Sequence, residues 1–195
     1  MIIDTHANKQ MTKQQLKILI GINLLTILLV ISPFLPGPGF LSKLTNTIFS
    51  LAQISSVFGL LLMPVGLLRT IKQRSQQDKK LLPLLLWTVP LCIIIFSIWG
   101  AGFAREISRQ IAMHNAQNLI TAIETFRTAN DHYPENISQL QPSYIKNIPQ
   151  PWIMGISGYT YEKKDDHFNL SFTQNVLLNF NFEVMIYDPM GNHTA

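Results

Sequence analysis

Three stretches without a charged side chain, 18–35, 44–68 and 81–104, limit what this chain can fold into. About 18–25 apolar residues take a helix across a hydrocarbon core, so each stretch is a predicted membrane span. The first follows a polar lead (1–17) and ends in Pro33, Pro36 and Pro38 with Gly37 and Gly39. A secretory signal is the competing reading. The long polar lead, the length of the apolar run and the lack of a small-x-small site before Pro33 favour a retained span.

Charge is distributed around the spans in a way that sets their direction. Residues 1–104 carry nine Lys/Arg against two acids, Asp4 and Asp78, and residues 105–195 carry six against nine. Lys9, Lys13 and Lys17 precede the first span, while Arg69, Lys72, Arg74, Lys79 and Lys80 lie between the second and third. Only Lys43 stands in the loop between the first two. The positive-inside rule then places the amino terminus in the cytoplasm and everything after Arg105 outside it. A nucleic-acid binder would gather its positive charge on the folded part instead, so that class is excluded.

The spans carry no Asp, Glu, Lys, Arg or His, the residues that mark ion and proton paths through membranes, and they read as an anchor. Ser55 with Gly59 and Gly100 with Ala104 have the spacing that lets helices approach closely, most simply within one chain. Pro90 lacks an amide hydrogen and is expected to kink the third span. Cys92, the single cysteine, lies in an apolar run and reads as a small buried side chain.

Beyond Gly100 the third run stays free of Pro as far as Asn130 but becomes amphipathic. Ala112, Ala116, Leu119, Ile123 and Phe126 recur at helical spacing, with Arg109, Gln117, Glu124 and Arg127 between them. One helix of roughly 70 Å is predicted from about Leu81 to Asn130, half in lipid and half carrying an apolar stripe. Asp131-His132-Tyr133-Pro134 stops it, and Asn136–Leu140 reads as one helical turn.

Three strands follow on pattern. Gly158–Glu162 and Phe168–Phe172 alternate around a polar turn at 163–166 and predict a hairpin. In the third candidate, Leu178 to Val184 and on to Tyr187, residues Leu178, Phe180, Phe182 and Val184 share the face expected to meet the helix. The expected fold is therefore a three-helix membrane anchor (18–104) with a small α+β domain (105–195), a long helix packed on an antiparallel sheet.

The tail resembles a known family. Leu119, Ala122, Ile123 and Phe126, then Asn130, Tyr133-Pro134, Ile137 and Leu140, resemble the end of the long helix of type II secretion pseudopilins with its Tyr-Pro turn. Pro151-Trp152 followed by Tyr159 and Tyr161 is similar to the Asp-Pro-Trp-Gly…Tyr-x-Tyr stretch of the major pseudopilins. The likeness spans about 112–172 and implies a pilin-like fold outside the cytoplasm. Three spans precede it here, His132 stands where the family has Gly, and Gln150 where it has Asp. Gly102-Phe103 and Glu106 follow the apolar run instead of opening it.

Catalytic signatures are lacking in the sequence. No His-x-x-x-His, Gly-x-Ser-x-Gly, phosphate-loop or dinucleotide pattern occurs, and no cofactor or metal is expected. Asp165-Asp166-His167 reads as solvated turn polarity and Asp188-Pro189 as a structural turn. His132, Tyr133, Trp152, Tyr159 and Tyr161 are the candidate ligand- or partner-binding residues, with core packing as their ordinary role. The expected function is an interaction module of the bacterial inner membrane, in contact with the lipid bilayer and an envelope protein, its oligomeric state left open. An enzyme or enzyme accessory with a site near His132, Tyr133 and Asp188 is the alternative.

Overall fold

The computed structural model describes residues 11–76, 79–178 and 181–189. The lead before Met11, Asp78, Asn179 and Phe180 of the third predicted strand, and the chain after Pro189 lie outside the described residues. Helix α1 (Lys13–Ile31) starts at a capping box, in which Gln15 N donates to Thr12 Oγ1 and Thr12 N to Gln15 Oε1, both at 3.1 Å. Pro33 halts it in a single 3-10 turn. Helix α2 (Ser42–Lys72) runs back, and α3 (Leu82–Ile95) passes through one π-helical turn, Phe96–Gly100, into α4 (Ala101–Asn130).

Three helical stretches, Lys13–Phe34, Gly39–Lys72 and Leu82–Asn130, are long and apolar enough to cross a membrane. The last is the predicted rod, unbroken from bundle to tail. Helix α3 continues through Pro90, and the departure from α geometry falls at Phe96–Gly100. At Gly59 of α2 an added Cβ would sit 2.8 Å from Pro90 Cβ, so this small residue serves packing within the chain.

Helix α4 ends as its sequence requires. Asp131 takes a left-handed conformation (φ 63°) and its N–H closes on the Arg127 carbonyl at 2.8 Å. The buried face of α4 includes every residue of the predicted stripe, Ala112, Ala116, Leu119, Ile123 and Phe126. Leu119 and Ile123 are fully buried, each contributing about 1.5–3 kcal/mol by removal from water.

Against this stripe lies an antiparallel sheet in the order β1 (Thr160–Lys163), β2 (Phe168–Leu177), β3 (Asn181–Tyr187). The face of β3 differs from the expected one. Glu183, Met185 and Tyr187 turn towards the core side, while Phe182 and Val184 are each 44% exposed. The cause is electrostatic. Arg109 Nη1 of α4 donates to Glu183 Oε1 at 2.9 Å, and Arg105 Nε lies 3.9 Å from Glu183 Oε2. A register irregularity between Asn175 and Leu177 admits this setting, since a one-residue slip exchanges the two faces of a strand.

The tail also joins the loop between α1 and α2. Gly155 N donates to Pro33 O at 2.7 Å, Met154 N to Leu35 O at 3.0 Å and Gly37 N to Trp152 O at 3.0 Å. Asn46 Nδ2 reaches Gly155 O at 2.8 Å, and Leu178 N donates to Gln53 Oε1 at 2.8 Å. The first turns of α2 therefore belong to the seat of the tail as much as to the bundle.

Candidate functional site

The aromatic candidates do not converge on one cluster. Tyr133 and Tyr161 close on the fully buried Phe168, with ring centroids 5.2 and 5.9 Å away, and Tyr187 completes the cluster at 5.7 Å. His132 meets the edge of Phe126 at 5.7 Å and holds its Nδ1 3.0 Å from Tyr133 O. Tyr159 packs on Phe172 instead, and Trp152 lies apart in the loop bound to Gly37. Asp188 follows Tyr187 at the end of β3.

The polar tips of these rings are directed by neighbours. Tyr133 Oη donates to Glu124 Oε1 at 3.3 Å, under the guanidinium of Arg127, 4.8 Å from the ring centroid. Tyr161 Oη donates to Pro134 O at 2.7 Å, and Tyr159 Oη to Ala112 O at 2.6 Å. Burial pushes the phenol of Tyr161 up to about 12 and raises that of Tyr159 further. A phenol whose folded value exceeds its unfolded value near 10 stabilises the fold below pH 10 and loses that contribution as pH rises through the folded value. Unfolding midpoints measured from pH 9 to 12 are expected to fall steeply. In the double variant Tyr159→Phe, Tyr161→Phe the slope flattens, at a cost of about 1 kcal/mol per lost hydrogen bond at neutral pH.

The charged candidates are paired locally. Asp166 and His167 Nδ1 meet at 2.6 Å in the β1–β2 turn, and the ring holds the Asp166 carboxyl below its usual range. Lys163 Nζ lies 2.5 Å from Glu135 Oε1 and lowers that carboxyl too. Among the described residues no group of three or more His, Cys, Asp or Glu is placed to hold a metal ion.

On the side of α4 away from the sheet, a polar groove of about 570 Å³ runs beside the Tyr144–Pro149 loop. Asn118, Thr121 and Thr125 line the helix wall, and Tyr144, Lys146 and Asn147 the loop wall. The loop wall is fixed in place. Asn130 Nδ2 donates to Tyr144 Oη at 3.0 Å, Gln141 Nε2 to Lys146 O at 3.0 Å, and the rings of Phe126 and Tyr144 sit 5.2 Å apart. No family model, curated protein or solved structure matches the chain. Amide, hydroxyl and ammonium groups interspersed with Ala122, Ile145 and Pro149 form an open surface that can hydrogen-bond a partner.

Sequence reasoning missed this groove because its helix wall is the solvated side of an amphipathic helix. The available signal was Asn118, Thr121 and Thr125, uncharged polar residues at spacings of three and four on the back of the stripe. It also missed a buried polar seam near the bundle. Gln174 Nε2 donates to Ser108 Oγ at 2.5 Å, and Asn175 Nδ2 to Ser50 Oγ at 3.4 Å. Ser50 and Gln53, polar in an apolar run, were its trace.

Proposed function

We propose that the chain is a membrane-anchored interaction module whose three spans hold a pilin-like domain outside the cytoplasm of a bacterium. The single observation carrying this reading is the polar groove presented far along a helix continuous with the bundle. From Gly100 to Thr121 and Thr125 the rod rises about 30–40 Å, enough to clear a headgroup layer. The charge asymmetry of the loops supports an inward amino terminus and an outward tail. An α4 stripe laid over a three-stranded antiparallel sheet supports the pilin-like reading.

An envelope protein is the proposed occupant of the groove, recognised by hydrogen bonds to Asn118, Thr121, Thr125 and Asn147. Photo-crosslinking residues placed at Thr121 and Asn147 in living cells are expected to give one adduct of the same mass. The same residue at Asp165, in the β1–β2 turn, is expected to give none. Absence of an adduct at both groove positions sinks the reading. Reporter fusions at Thr70 and Ala195 check the orientation, with cytoplasmic activity expected at the first and extracytoplasmic activity at the second.

A further inference from the structure

The inner end of the bundle is tied together at one level. Gln15 Nε2 of α1 donates to Lys79 O at 2.8 Å, and Lys80 N donates to Gln73 Oε1 at 2.9 Å. About 20 residues of helix cross a hydrocarbon core. That length, counted from this level, arrives at Leu35 just past α1, Gln53 within α2 and Gly100 before α4. Gln53 and Gly100 mark the inner edge of a band, and Leu35 lies farther out. Met154, whose N–H donates to Leu35 O at 3.0 Å, accepts at its carbonyl from Thr45 Oγ1 at 3.2 Å, about 12 Å along α2 from Gln53. Leu35 and Gln53 both bind the tail, and Phe34 lies 5.7 Å beneath the guanidinium of Arg105, five residues beyond Gly100.

Two tail segments are hydrogen-bonded within this band, Leu178 at its inner edge and the loop around Trp152 at its outer edge. The Met154–Leu35 and Gly37–Trp152 bonds hold the loop around Trp152, and the Leu178–Gln53 bond holds the chain just after β2. Each segment turns a large apolar side chain outward there, Trp152 at 55% and Leu177 at 44% exposure. Trp99, at 79%, and the exposed Phe103 flank Gly100 on the helix, and Phe40 is exposed in the neighbouring loop. Indole and phenyl rings collect at the headgroup boundary because the ring body leaves water while the N–H or ring edge stays near polar groups. We infer that Trp152 and Leu177 seat the tail directly in the headgroup layer of the leaflet on its own side. Lipid is the occupant of this apolar rim, and the tail is a domain that rests on the bilayer. The inference rests on the anchored reading proposed above.

Single-cysteine variants of the full chain in a Cys92→Ser background, labelled with bimane in phosphatidylcholine vesicles, test it. Labels at Trp152→Cys and Leu177→Cys are expected to lose about half or more of their emission to a headgroup-attached nitroxide. A label at Thr121→Cys, in the groove, should keep its emission, and one at Leu61→Cys should respond to a nitroxide deep in the acyl chain. Should Trp152→Cys or Leu177→Cys behave like Thr121→Cys while Leu61→Cys is quenched, the inference is overturned and the anchor stands. Shielding of either label by a second copy, seen as emission that changes on dilution in lipid, overturns it too. An unquenched Leu61→Cys removes the anchored reading and the inference together.

Discussion

Replacement of Phe168 by alanine is expected to destabilise the tail by about 3–5 kcal/mol, the cost of emptying a fully buried aromatic site. Phe168 has no exposed surface and is touched by the rings of Tyr133, Tyr161 and Tyr187, which come from the turn after α4, from β1 and from β3. No single one of these can move into the vacancy without leaving its own partners. Tyr161 is held by Pro134 O and Tyr133 by Glu124. The measurement is urea unfolding of the detergent-solubilised chain followed by tyrosine near-ultraviolet dichroism. A midpoint shift equivalent to under about 1 kcal/mol would show that the three tyrosines are not organised around this ring.

The second large effect is expected at Gly155. An alanine Cβ there would lie 2.7 Å from Pro33 Cβ and closer still to the Pro33 carbonyl oxygen, which Gly155 N itself binds. Backbone cannot yield as a flexible side-chain tip can. Overpacking of about 1–3 kcal/mol adds to weakened bonds at Gly155–Pro33, Met154–Leu35 and Asn46–Gly155, each about 1 kcal/mol. Amide exchange at Met154 and Gly155 is then expected to rise by about 100-fold or more, while amides of β2 keep their protection. Unchanged exchange at Met154 would mean that the loop contact does not hold the tail.

These two sites differ in how far the sequence discloses them. The Phe168 core was readable, because Leu119, Ile123 and Phe126 repeat with helical period and Phe168 and Leu170 with strand period. The Gly155 contact was not, since it is made of main-chain groups in segments more than a hundred residues apart and leaves no pattern in either. The strand β3 misleads for a third reason. Both of its faces carry apolar residues, Phe182 and Val184 on one, Met185 and Tyr187 on the other, so alternation alone gives no preference. What decides the face is Glu183, which Arg109 and Arg105 hold on the helix side.

The unbroken helix from Leu82 to Asn130 carries a mechanical consequence. The places along it that can absorb bending are Pro90, which has no amide hydrogen to give the preceding turn, and the π-helical turn at Phe96–Gly100. A lean of about 10° in the lipid, well inside the range that helices adopt to match bilayer thickness, swings a tip about 40 Å away sideways by roughly 7 Å. Held in lipid as proposed, such a rod would act as a lever, and thinning or thickening of the surrounding bilayer would reposition its far end laterally.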